Sequence, residues 1–461
     1  MKTEGDGPMK KERRFTAIPP TLLAAAMLLA SCSGGGTAAT GGDKTDSGSL
    51  DKNKTALEGK PKEPVEVVFY AQNGMTPADF DNRFGNSLRK KFPNYTIKYI
   101  QNTGKGMDVP GMLASNTHYD VYFAYVGYFE NEFISYDLQF DMSELIKQHQ
   151  LDLNRIDPSV ISGIRNSSYG MYALPVITDT LGIMYNKDIL DKFGVPYPKN
   201  GITWGEIIDM SRKLTRTEGD KTYAGYVPFT NYMLSMNPLS IPLVDEKTGT
   251  PTINRDERWK KFYQTLLIAP SEVPGIQEYL KKHEVIDGFF KDQEVAMIGG
   301  ITAFAANSRE DQLSKFNWDW VALPSFQDLP NVGGQPYTQY FGITRMAKSK
   351  NTADAAMEML KYLVSDEFQT EVARKGFMPV LKNLDVRKVF GQDTKVKDKN
   401  WNAYFYNKLA EVPYKSVNEM PIASLYVANM NQVMKGEIDL NTALRLSEES
   451  AAKKLQELKA K

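Results

Sequence analysis

Cys32 is the residue whose setting says most about chemistry. It is the only cysteine among 461 residues. It follows Leu29-Ala30-Ser31 at the end of an apolar run from Thr21 to Ala30, and Lys10, Lys11, Arg13 and Arg14 precede that run. A basic flank, a short apolar core and small residues before a lone Cys form the signal of a bacterial lipoprotein. Cleavage before Cys32 would free its thiol to carry a diacylglycerol group. Residues 1–31 are therefore read as a signal peptide, with an ordinary secretory signal and an incidental Cys as the competing reading. Met9-Lys10-Lys11 is the more usual opening of such a signal, so Met1 and Met9 are both candidate starts.

Little else in the chain suits bond-making chemistry. The three histidines, His118, His149 and His283, have no zinc-ligand spacing. There is no Gly-rich phosphate loop, nucleophile elbow or EF-hand loop. Carboxylate pairs are abundant but follow no pattern. Tyr122 and Tyr125 raise the idea of a tyrosine-held ferric site, which nothing else in the sequence supports. The expectation is a chain with no catalytic residue, no cofactor and no metal.

The elements that would position a site are those of a large α/β body. The apolar run before Cys32 is shorter than the roughly twenty residues a bilayer requires, and charges interrupt every later apolar segment. With one cysteine no internal disulfide can form, so the fold rests on its core. The full chain carries 56 basic and 56 acidic residues; loss of residues 1–31 removes five basic and three acidic side chains, leaving 51 and 53 and a formal charge of −2. No basic excess points to nucleic acid. Residues 32–62 are rich in Gly, Ser, Thr, Lys and Asp and cannot bury enough apolar surface to order themselves, which describes a flexible tether.

From Pro64 onward strand and helix alternate. Strands are expected near 64–70, 95–100, 120–125 and 182–185, and helices over 78–92, 204–214, 351–365 and 441–458. Thr203 with Glu206 three residues later forms a capping box for the helix that starts at Trp204. This alternation predicts α/β layers around a mostly parallel sheet. About 400 residues suggest two lobes rather than one core.

Five segments in order carry a resemblance. Tyr172-Ala173-Leu174-Pro175-Val176 and Met184-Tyr185-Asn186-Lys187-Asp188 come first, followed by Gly194-Val195-Pro196 with Thr203-Trp204-Gly205-Glu206. Phe289-Phe290-Lys291 through Ala296-Met297, Ser349-Lys350-Asn351 through Gln369, and Gly436-Glu437 with Ala443-Leu444 complete the set. Together they resemble the family 1 extracellular solute-binding proteins, the lipoprotein receptors of ABC importers, and in particular their maltose-binding-protein-like, sugar-binding branch. The resemblance implies a two-lobed fold with chain crossings at a hinge and a ligand cleft between the lobes. Lobe 1 would hold residues 63–177 and 336–390, and lobe 2 residues 178–335 and 391–461. It further implies a monomer tethered to the membrane through Cys32, closing on a mono- or oligosaccharide and presenting it to a permease. A glycan-degrading lipoprotein, or a peptide-binding or sensory receptor on the same fold, are the alternatives.

A sugar site needs flat apolar faces for C–H surfaces and planar polar groups for hydroxyls. Tyr70, Gln72 and Asn73 stand at the C-terminal end of the first strand, where α/β sheets place ligands. Tyr125, Tyr128 and Phe129 end the third, with one of them expected in the cleft. Asp120 matches an Asp of the family's strand motif, although Tyr119 replaces its usual Pro. Asp179 falls at the crossing where sugar-binding relatives carry an acidic ligand. The family's stacking Trp is missing after Gly299-Gly300; Phe304, Trp318, Trp320, Tyr337 or Tyr340 would replace it. Trp318 and Trp320, flanking Asp319, are read as pointing to opposite faces of one strand.

Overall fold

The structure is a computed structural model that describes residues 65–165, 169–301 and 309–460. The signal peptide, Cys32, the tether and Phe304 lie outside the described residues.

Two sheets organise the described residues. The first has the order β11-β4-β10-β3-β1-β2. Its strands are β1 (Glu66–Ala71), β2 (Thr96–Gln101), β3 (Val121–Tyr125), β4 (Leu174–Thr178), β10 (Gln339–Ile343) and β11 (Met378–Pro379). The second has the order β6-β7-β8-β5-β9. It comprises β5 (Leu181–Asn186), β6 (Arg216–Glu218), β7 (Lys221–Pro228), β8 (Val295–Ile301) and β9 (Trp318–Ala322). We call the bodies built on them lobe 1 and lobe 2.

The interior strands are apolar throughout because helices cover both faces. In β1, Val67, Phe69 and Ala71 enter one apolar cluster. Val68 and Tyr70, pointing the other way, enter a second. The same alternation in β3 sends Val121 and Phe123 to the first and Tyr122 and Ala124 to the second.

The sheets are mixed, not mostly parallel as the alternation suggested. β1 runs parallel to β2 and β3, and β7 parallel to β8. β10 runs antiparallel to β3 and β4, and β5 antiparallel to β8 and β9. The reason is connectivity. β5 and β10 each arrive from the other lobe, so they start at the hinge edge of their sheet and run away from it. The parallel strands end at that same edge.

Local signals formed where the sequence placed them. Thr203 Oγ1 accepts from Glu206 N–H while the Glu206 carboxylate accepts from Thr203 N–H, closing the capping box of the helix Trp204–Leu214. That helix lies on β7 at one point of very close approach. Ser211 Oγ accepts from Tyr226 N–H at 3.0 Å. A Cβ on Gly225 would sit 2.4 Å from both the Cα and the carbonyl oxygen of Ser211. Only glycine permits that distance, because backbone cannot move aside as a side chain can. Among the described residues no helix is long and apolar enough to cross a membrane.

Gly225→Ala should therefore destabilise the protein by about 2–3 kcal/mol, the usual cost of overpacking. Urea unfolding followed by circular dichroism measures it, and an unchanged midpoint would contradict the close approach.

Candidate functional site

Among the described residues, three chain segments pass between the lobes. The first is the turn from Thr178 to Leu181, and the second runs from Leu323 to Thr338. The third follows β11: Trp401 and Tyr404 pack on Trp320 of β9 with ring centroids 4.8 and 4.9 Å away. The helix Glu419–Met434 then joins the lobe 2 core through Ile422, Tyr426 and Met430.

The first two crossings are bonded to each other. Tyr337 N–H donates to the Asp179 carbonyl at 2.9 Å. The hydroxyls of Thr178 and Thr338 are 3.1 Å apart. The Thr338 backbone carbonyl in turn accepts from Val126 N–H at 2.9 Å, tying the crossings to the end of β3. The Asp179 side chain caps its own turn, accepting from Thr180 N–H at 2.8 Å.

An aromatic wall stands on these crossings. The rings of Tyr125 and Tyr337 stack at 4.7 Å with 10° between their planes. Tyr337 meets Tyr232 edge to face at 5.7 Å, and Tyr232 meets Phe229 at 5.0 Å. The wall thus runs from the C-terminal edge of the lobe 1 sheet, over a crossing, to the residues that follow β7 in lobe 2. All four are part-buried, whereas the strands behind them are buried. Burial holds the hydroxyls of Tyr125, Tyr232 and Tyr337 above the usual phenol range, with the charge of Asp179 acting in the same direction. They remain hydrogen-bond donors at any physiological pH. The charge of Arg83 opposes the rise at Tyr125. Arg83 sits where the helical run from Pro77 to Lys91 widens into a π turn at Asp81–Gly85, a feature frequent at functional sites.

The structure therefore brings together Tyr125, Asp179 and Tyr337 among the expected residues. Gln72 lies at the same sheet edge, half-buried, with its backbone N–H donating to the Phe123 carbonyl at 3.2 Å. Asn73 is exposed, and its side chain closes a turn by accepting from Met75 N–H at 3.2 Å.

Five expectations are corrected. Tyr70 is fully buried, packs on Tyr119 and Tyr122, and donates to the Met107 carbonyl at 2.9 Å, so it belongs to the lobe 1 core. Tyr340 is fully buried and donates to the Val160 carbonyl at 3.0 Å. Asp120 begins the polar end of β3 opposite Tyr125. It is fully buried and accepts from Val68 N–H at 2.7 Å, with His118 Nε2 at 2.7 Å and the Thr352 hydroxyl as further partners. Trp318 pairs with Asn186, at the end of the lobe 2 sheet remote from the crossings. Trp318 and Trp320 also share a face, as residues two apart on a strand must; their rings lie 5.3 Å apart inside the lobe 2 core.

Phe229, Tyr232 and Arg83 were not anticipated. The available signal was position: Phe229 directly follows Pro228, the last residue of β7.

With this geometry in hand, comparison with known proteins is decisive for the family. Residues 74–370 match the family of bacterial extracellular solute-binding proteins. The chain belongs to that family. A putative binding protein of Brucella abortus is 23% identical over 236 residues, covering 49% of this chain and 53% of the relative. The chain thus spans about half the length of the curated relatives it matches. Among solved structures, a sugar transporter from Rhizobium etli in an open conformation superposes with a TM-score of 0.65 at 19% identity, covering 84% of this chain and 98% of that one. A Listeria monocytogenes ABC substrate-binding protein in complex with cycloalternan gives 0.66 at 16%, covering 85% and 99%. A cyclic alpha-maltosyl-1,6-maltose binding protein from Arthrobacter globiformis gives 0.68 at 14%, covering 86% and 100%. These likenesses establish the two-lobed solute-binding fold.

This solute-binding protein should separate fold from site under substitution. Asp120→Ala strands the buried Val68 N–H and should cost about 3 kcal/mol of stability, leaving solute affinity unchanged. Tyr232→Ala should do the reverse. Chemical unfolding paired with titration calorimetry distinguishes them; lost affinity in D120A would return Asp120 to the site.

Proposed function

We propose that this protein is a lipid-anchored, extracytoplasmic carbohydrate receptor that closes its lobes on a mono- or oligosaccharide and delivers it to an ABC permease. The observation that carries the reading is the aromatic wall Tyr125–Tyr337–Tyr232–Phe229 beside Asp179. Part-exposed aromatic rings offer flat faces to the C–H surface of a pyranose. Phenol hydroxyls that stay protonated, the Asp179 carboxylate and the carboxamides of Gln72 and Asn73 supply donors and acceptors for its hydroxyls. The names of the structural neighbours, a sugar transporter and binders of cycloalternan and maltosyl-maltose, support a sugar over a peptide or metal.

Capture then works as a population shift. A solute lying on the wall touches lobe 1 through Tyr125 and lobe 2 through Tyr232. It binds the closed arrangement more tightly than the open one and so favours closure. No bond need break. Cys32 carries the lipid in this reading, the segment 32–62 is the tether, and the protein acts as a monomer.

Thermal unfolding against mono- and oligosaccharides, uronates, amino acids and peptides tests the substrate class. A solute that binds only the folded state adds about 2.7 kcal/mol at a hundredfold excess over Kd. One carbohydrate class should stabilise the protein and be recovered intact, and Asp179→Asn should weaken it at least tenfold. A shift with peptides alone would overturn the sugar reading, and recovery of cleaved glycan would replace a receptor with an enzyme. Separately, growth with labelled palmitate should mark the wild-type chain and not Cys32→Ala; equal labelling would place the lipid elsewhere.

A further inference from the structure

Away from the aromatic wall, two carboxylates and one ammonium lie buried where lobe 1 meets the third crossing. Glu130 opens the helical turn Glu130–Ile134, one short loop beyond β3, and is 5% exposed. Lys415 belongs to the third crossing, and Glu419 begins the helix Glu419–Met434. The Lys415 and Glu419 side chains are 6% and 5% exposed and 3.2 Å apart. One lysine thus faces two glutamates, and ionisation of both would leave an excess negative charge out of water. The second oxygen of Glu419, Oε2, is buried without a hydrogen-bond partner.

This cluster spans the two lobes. Glu130 Oε2 accepts from Gly127 N–H at 2.7 Å, and Gly127 sits beside Tyr128 in the loop that follows Tyr125. Next to it Asn131 donates to the Val417 carbonyl at 2.7 Å. From the other side, Lys415 Nζ reaches the Ser235 carbonyl at 3.5 Å, at the end of the helix that carries Tyr232. The cluster therefore connects the two loops that present the ends of the aromatic wall.

Burial, with the nearby charge of Glu419, pushes the Glu130 carboxyl up to about 7, against the pull of Lys415 and of the backbone N–H groups. A cavity of about 300 Å³ lined by Glu130 and Lys415 lies alongside. The other ionisable groups on that cavity are Glu246 and Glu411. The phenols of Tyr169, Tyr172 and Tyr414 also line it, and Tyr340 lies within electrostatic reach. No histidine is among them.

We propose that Glu130 is a positioning residue that links the lobes to protons: the junction formed with Lys415 and Glu419 holds Glu130 as the neutral acid, and opening it releases that proton to water. This goes beyond the carbohydrate reading and rests only on the part of it that has the lobes move. The sign follows from the direction of the shift. A carboxyl raised in the assembled junction and ordinary when exposed favours assembly fully below pH about 4.5. That advantage is lost as pH rises towards about 7 and stays lost above it.

The test needs no solute. In the full chain, Cys32→Ala leaves no native thiol, and spin labels at Asn82→Cys in lobe 1 and Glu278→Cys in lobe 2, both exposed, report the distance between lobes. The distance should lengthen between pH 5 and 8, and the thermal midpoint should fall over the same range. Adding Glu130→Gln should hold the short distance at every pH and flatten the excess loss of stability. Glu419→Gln, which removes the neighbouring negative charge, should move the midpoint of the response to lower pH. A pH response unchanged by Glu130→Gln, or no response in any variant, overturns the proposal. If Glu130→Gln does not fold, an unmoved midpoint in Glu419→Gln overturns it alone. A failed carbohydrate screen touches neither readout, so the two readings fail separately.

Discussion

The hydrogen bond from Tyr337 N–H to the Asp179 carbonyl, 2.9 Å long, joins two strands of chain travelling in opposite directions between the lobes. Much else depends on it. It places Asp179 beside Tyr337, and through Thr338 and Val126 it fixes both against the end of β3, where Tyr125 stacks. A buried main-chain pair of this kind is costly to leave unmade. The two crossings are therefore held as a unit, and any relative motion of the lobes must be absorbed around them rather than between them.

Chain direction follows from the same crossings. β5 begins three residues after β4 ends, and β10 begins where the second crossing ends, so both enter their sheets from the shared edge. The parallel strands β1, β3, β7 and β8 finish at that edge. Loops that follow parallel strands are where α/β sheets place ligands, and here two sheets offer such loops to each other. Phe229 and Tyr232 on one side and Tyr125 on the other are consequences of strand direction.

Burial of polar groups marks where the molecule departs from simple packing. Asp120 is buried and satisfied by Val68, His118 and Thr352, a structural solution within one lobe. Glu130, Lys415 and Glu419 are buried with one charge too many, and they sit between lobes. The contrast is physical. Each oxygen of Asp120 meets a donor, whereas two carboxylates sharing one ammonium favour a proton on one of them.

What the amino-acid sequence determined by itself was local or periodic. The helix Trp204–Leu214, with its Thr203–Glu206 box, needs no partner to specify its start. The β1 and β3 runs declare themselves as strands covered on both faces, and the ordered motifs from Tyr172 to Leu444 identify the family and with it the two lobes. Asp179 was legible because a crossing motif brackets it. Tertiary structure alone decided which aromatics face the cleft. Tyr70 and Tyr340 have the same chemistry as Tyr125 and Tyr337, and Tyr340 lies only three residues from Tyr337, yet both point into the lobe 1 core. Tyr232 joins Tyr337 only because the chain crosses back beside it. Trp318 and Asp120 stand at the ends of their sheets away from the crossings. Side-chain alternation gives a residue's face relative to its neighbours, but it does not say which edge of which sheet meets another. That is set by contacts between residues more than a hundred positions apart.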